Sequence, residues 1–152
     1  MTAQILTACA GFLLAVLWMD LMFDSQIRGH RGDELDGQTL ASVSAYYRRA
    51  TTTSQPMGAL IAAVMLTALA VLGLEAVRGH TPGWILVLSA ILAGGPILLA
   101  LGRTVPNAVR LGDRAGTAAE QTRLARAVFL DHVICLIGML AFLALWIVPG
   151  IR

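Results

Sequence analysis

Four long runs of apolar residues, at about positions 5–23, 57–77, 84–102 and 127–148, alternate with stretches that hold most of the charge. Each run is near the ~20 residues that an α-helix needs to cross a hydrocarbon core. Two polar loops and one short turn join them, and neither loop has room for a soluble domain. The pattern predicts an all-α integral membrane bundle of four transmembrane helices, forming a single domain over 1–152.

The loops carry their own signals. Arg28 to Gly37 is polar and rich in turn residues. From Gln38 to Arg49 the pattern turns helical, with Leu40, Val43 and Tyr47 on one face. This predicts a short interfacial helix, with Tyr46 and Tyr47 at headgroup level and Arg48 and Arg49 facing lipid phosphates. Pro56 suits the first turn of the second span. Thr117-Ala118-Ala119-Glu120 reads as a capping box, from which a helix can run unbroken into the fourth span. Gly11 with Ala15, and Gly58 with Ala62, offer small-residue faces for close helix packing. Trp18, Trp84 and Trp146 stand near span ends, where interfacial aromatics are expected. Gly94-Gly95-Pro96 lies midway along the third span and predicts a kink there, either a packing bend or an opening for a ligand.

Composition agrees with the pattern. The chain is 57% hydrophobic with a mean hydropathy of +0.75, outside the range of ordinary soluble domains. A net charge of +2 is too small to suggest nucleic acid. All eleven basic residues other than His are arginine, a usage that fits a GC-rich bacterial genome. Nine of them flank the two long loops, and only Arg78 and Arg152 lie on the opposite side. The positive-inside rule then places both loops in the cytoplasm and both termini outside, in a bacterial inner membrane. Leu6-Thr7-Ala8-Cys9 matches a lipoprotein cleavage pattern, but it has no charged region before it and too few preceding residues, so no cleavage is expected. Cys9 and Cys135 lie at different depths, which makes them packing residues rather than a disulfide.

The candidate chemistry gathers at the Arg-rich end. Asp20 and Asp24 are one helical turn apart on the first span, and Asp131 and His132 sit in the first turns of the fourth. Arg103, Asn107 and Arg110 close the third span on the same side. A carboxylate within a membrane helix needs a partner or a wet cavity; Arg28, Arg103, Arg110 and Arg126 are the evident partners. The cluster is either an ion-pair network that fixes helix register or a pocket for a headgroup, quinone or small aromatic molecule. In the second case His132 is the acid/base and Asp20 or Asp131 orients it. Arg103 and Asn107 hold an anionic or carbonyl oxygen, and Arg110 and Asp24 complete the ligand contacts. His132, Cys135, Asp131 and Asp20 could face one point, but no paired His or Cys motif supports a metal. Two-histidine haem ligation, a Ser/His/Asp arrangement, a phosphate loop and a redox Cys pair are all lacking in the sequence.

The segment Arg103-Thr104-Val105-Pro106-Asn107-Ala108-Val109-Arg110-Leu111-Gly112 resembles the end of the third span in the anthrone-oxygenase-like family of small four-helix membrane proteins. Those proteins often carry a Pro-Thr-Asn-x-x-Leu-type motif there. Here Pro106-Asn107 lacks the intervening Thr, and Leu111 falls four residues after Asn107. The resemblance implies the same order of four spans and carries Asn107 over as a site residue. Some members are implicated in oxidising a polyketide anthrone to an anthraquinone without an obvious metal site; most have no assigned reaction. Two functional expectations follow from residues and resemblance together. The chain is a small membrane protein that binds or transforms an amphipathic or aromatic molecule such as a lipid or quinone. Alternatively, it is an accessory subunit of a larger membrane complex or a homo-oligomer, its polar cluster serving only the fold.

Overall fold

The computed structural model describes residues 1–30, 32 and 34–148; Arg31 and Arg152, counted in the charge asymmetry, lie outside them. The described residues form six α-helices and no strand: α1 (Thr2–Asp24), α2 (Gly37–Thr52), α3 (Gln55–Arg78), α4 (Gly83–Leu99), α5 (Val105–Gly112) and α6 (Ala118–Ile147). A 3-10 turn, Ser25–Gly29, extends α1, and a π-helical turn, Ala100–Thr104, joins α4 to α5. Four segments are long and apolar enough to cross a bilayer: Thr2–Gly29, Gln55–Arg78, Gly83–Gly112 and Ala118–Ile147. The fold is an all-α four-helix bundle of a multi-pass membrane protein.

The spans form a ring in chain order, α1 against α3, α3 against α4, α4 against α6 and α6 against α1. Two apolar cores stack along it. The first lies away from the Arg-rich end and joins Leu6, Ala10, Leu72, Ile85 and Phe142. The second lies at the Arg-rich end, where α2 inserts Val43 and Tyr47 against Leu111, Leu124 and Val128. The loop helix is therefore packed against the bundle, on α5 and α6.

Local chemistry sets the helix ends. Thr117 Oγ1 accepts the Glu120 N–H (3.2 Å), and Glu120 Oε2 accepts the Thr117 N–H (2.8 Å). From this capping box α6 runs 30 residues without a break, or about 45 Å. That exceeds the ~30 Å hydrocarbon thickness, so its first turns stand clear of it. Asp36 caps α2 by accepting the N–H groups of Thr39 and Gln38, each at 2.9 Å. With the Thr39 hydroxyl added, these bonds hold its carboxyl down at about 2. Pro56 lies in the first turn of α3 as expected, and Gly79 ends that helix in the left-handed region, at φ 68°.

The third span departs from a simple proline kink. Pro96 cannot donate to Leu92, and the helix continues to Leu99 before widening into the π turn. Gly138 on α6 makes room for this proline: a Cβ there would lie 3.0 Å from Pro96 Cγ and 3.3 Å from the Leu92 carbonyl. The expected small-residue contacts fall elsewhere. Gly11 and Gly58 face open space, whereas Gly112 meets the α2 backbone, its Cβ position 2.8 Å from Arg48 N. Trp18 and Trp84 are exposed, but Trp146 is buried, its indole N–H donating to Ser89 Oγ at 2.9 Å. A buried indole N–H needs an acceptor, and Ser89 on α4 supplies one.

Candidate functional site

Three helices and the π turn deliver polar side chains to one end of the bundle. α1 presents Asp20 and Asp24, α2 presents Tyr46 and Tyr47, α6 presents Asp131 and His132, and the π turn presents Arg103 and Thr104. Two groups result. In one, Tyr47 OH donates to Asp24 Oδ1 at 2.5 Å, His132 Nδ1 lies 2.7 Å from Asp24 Oδ2, and Tyr46 OH donates to Asp20 Oδ1 at 2.5 Å. Because Asp24 accepts, Nδ1 is assigned the proton. In the other, Arg103 Nε donates to Asp131 Oδ2 at 3.1 Å and Nη2 lies 2.6 Å from Oδ1, an ion contact whose angle is poor for a hydrogen bond. Thr104 Oγ1 adds a donor to Oδ2 at 3.2 Å. Asp24 and Asp131 are 1% and 0% exposed, so these partners are what permits the carboxylates inside the bundle.

The tyrosines point into the bundle, onto the carboxylates of α1. Burial, and then the carboxylate each is bonded to, pushes both phenols well above the usual tyrosine range, which keeps them protonated as donors. Phe23 stacks on Tyr46, with ring centroids 4.0 Å apart. A phenol is apolar along its ring and polar only at its tip, so it suits this half-dry position as well as it suits a membrane interface.

Two adjoining hollows meet at Asp20, Thr104 and His132. A smaller one of about 160 Å³ reaches into the core past Leu17, Cys135 and Met139. A larger cleft of about 550 Å³ runs between α3, with Met57, Gly58 and Ala62, and the third span, with Leu101, Val105 and Val109. Its rim residues Met57, Leu101, Val105 and Val109 are exposed apolar side chains, so the cleft opens sideways, toward the space lipid occupies. At its polar end His132 Nε2 and Asp20 Oδ2 stand 3.8 Å apart, and neither takes a hydrogen bond. A molecule held there would meet an imidazole nitrogen and a carboxylate oxygen side by side, with Asp24 fixing the imidazole from behind.

The other sequence-derived candidates are placed differently. Asn107 is half-buried, lines neither hollow and makes no hydrogen bond to the cluster. Arg110 is exposed, and its carbonyl accepts from Gln121 Nε2 at 3.4 Å. Arg103 is committed to Asp131 and lines neither hollow. Arg126 donates to the carbonyls of His30 and Gly32, and Arg28 is exposed. The expectation that arginines pair with the α1 carboxylates is corrected: Tyr46, Tyr47 and His132 do so. The π turn aims Arg103 at Asp131, leaving α2 and His132 of α6 to face Asp20 and Asp24.

Sequence reasoning passed over Thr104, the inward role of both tyrosines, and Glu75. At the opposite end of the bundle Glu75 accepts from Thr2 Oγ1 at 2.6 Å and Thr81 Oγ1 at 3.2 Å, with Arg78 Nη1 at 3.5 Å. A carboxylate one turn before the end of an apolar span, with an arginine three residues on, was the available signal. Among the described residues no three His, Cys, Asp or Glu side chains group as metal ligands. Comparison with protein-family models, with curated proteins and with solved structures finds no match.

Proposed function

We propose that this protein binds, and through His132 acts on, a small amphipathic or aromatic molecule that enters sideways from the bilayer. The observation that carries the reading is the cleft of about 550 Å³, mostly apolar in its lining, with Asp20 and His132 among its walls. Membrane pockets of this build take a ligand's apolar body in the groove and fix its head with a few polar groups. His132 is the acid/base, because its free Nε2 faces Asp20 while Asp24 holds Nδ1. Lipids and quinones are abundant membrane molecules of suitable shape, as are the polyketide aromatics that the anthrone-oxygenase resemblance implies. The Arg-rich end supports a cytoplasmic placement of the site in a bacterial inner membrane, with both termini outside.

Gly58→Trp tests the reading. Gly58 lines the cleft, and a Cβ there meets no atom within 4 Å, so a side chain can start from it without a clash. Wild-type protein extracted in mild detergent is expected to carry a small molecule detectable by mass spectrometry. The variant is expected to lose it at an unchanged melting temperature. An identical complement of bound molecules in both proteins would remove the cleft from the function.

A further inference from the structure

The charges around the cleft do not balance. Asp20 and Asp24 contribute two carboxylates, and His132 is the one basic side chain among the described residues lining either hollow. With both carboxylates ionised, even a doubly protonated imidazole leaves one negative charge over. Arg103 does not offset it, because its guanidinium is bound to Asp131. The hydrogen bonds are unbalanced in the same sense. Both tyrosine hydroxyls already donate to the carboxylates, so Asp20 Oδ2 is a free acceptor. His132, only 8% exposed, has an Nε2 without a hydrogen-bond partner and borders the cleft. Tyr46 lines the cleft too, with its hydroxyl already given to Asp20.

We infer that the head this site is built to receive is a lipophilic cation bearing N–H donors, a protonated amine on an apolar tail, held by Asp20. The inference rests on the cleft-binding reading above and narrows it to one chemical class. An ammonium supplies the missing positive charge and donates to Asp20 Oδ2, and with His132 singly protonated it donates to Nε2 as well. A phosphate or carboxylate head meets a carboxylate with no free cation beside it, so the site rejects anions.

The test uses three molecules that differ only in the head: octylamine, octanol and octanoate. Each is titrated calorimetrically into the full chain in nanodiscs of zwitterionic lipid, with empty discs as the blank for partitioning. Octylamine is expected to bind about ten-fold or more tightly than octanol, the worth of a hydrogen bond to a charged group. Octanoate is expected not to bind, and Gly58→Trp to abolish binding of octylamine and octanol alike. Asp20→Asn, which keeps an acceptor for Tyr46, is expected to bring octylamine down to the octanol level. Should that variant fail to fold, the wild-type protein answers instead: N,N-dimethyloctylamine, which when protonated keeps one N–H and forms no amide, is expected to shield Asp20 from modification by a hydrophobic carbodiimide, and octanol is not. Binding of octanol or octanoate as tight as octylamine, or carbodiimide labelling indifferent to the tertiary amine, overturns the cation while leaving the cleft reading intact. Absence of any binding sensitive to Gly58→Trp removes both.

Discussion

Asp131 and His132 are adjacent in sequence yet belong to different groups, because successive residues on a helix point about 100° apart. Asp131 turns toward the third span and meets Arg103 and Thr104; His132 turns toward α1 and meets Asp24. The first pair serves the fold, since it lines neither hollow in full: only Thr104 of that group reaches the cleft. Its energetic weight follows from burial. Asp131 is 0% exposed, while half of the Arg103 side chain is open to its surroundings. Arg103→Gln leaves the buried carboxylate with the Thr104 hydroxyl as its remaining donor. The expected cost is about 2 kcal/mol, below the ~3–5 kcal/mol of a fully buried broken pair, because half of the guanidinium was never desolvated. Thermal unfolding in mild detergent measures this, and an unchanged melting temperature would mean that the Arg103–Asp131 contact does not hold the fold.

At the scale of helices, what was legible in the sequence depended on whether the signal was local. The capping box, Pro56 and the apolar runs act through their own backbone, and α3 and α6 appear where those signals put them. The helix over 38–49 also forms, started at Gly37 by the Asp36 cap and running on to Thr52. Its destination was not legible. Leu40, Val43 and Tyr47 mark an apolar face, but a membrane surface and a gap in a bundle ask for the same face. The gap exists because Gly112 lets α2 press onto α5, a pairing between distant residues that no local pattern announces. The π turn that aims Arg103 was equally silent, since it depends on how α4 meets α6 around Pro96 and Gly138. Gly112→Ala tests the pairing. The added Cβ would stand 2.8 Å from Arg48 N and 3.0 Å from its Cα. These are backbone atoms, so the whole of α2 must shift. Overpacking of this kind costs about 1–3 kcal/mol, and the shift draws Tyr46 and Tyr47 away from their carboxylates. A drop in melting temperature together with greater solvent accessibility of both tyrosines is the expected result. Unaltered tyrosine accessibility would mean that α2 is not held by this contact.

Over the whole molecule the two ends differ in kind. Among the described residues one end closes on a single carboxylate, Glu75, satisfied by Thr2, Thr81 and Arg78. The other holds three buried or half-buried aspartates, a histidine, two tyrosines and the cleft mouth, beneath the loops that carry most of the arginines. If the charge asymmetry sets orientation, the polar cluster faces the cytoplasmic leaflet and Glu75 faces outward. Single-cysteine labelling can read this directly, because Cys9 and Cys135 are both buried and give little background to a membrane-impermeant thiol reagent. Ser42 is exposed on α2, and His80 is exposed in the turn between α3 and α4. His80→Cys is expected to label on intact cells, and Ser42→Cys only after permeabilisation. The converse pattern would place the arginine-rich end outside and assign the cleft to the opposite leaflet. The site would keep its geometry in that case, but molecules would reach it from the outer half of the bilayer.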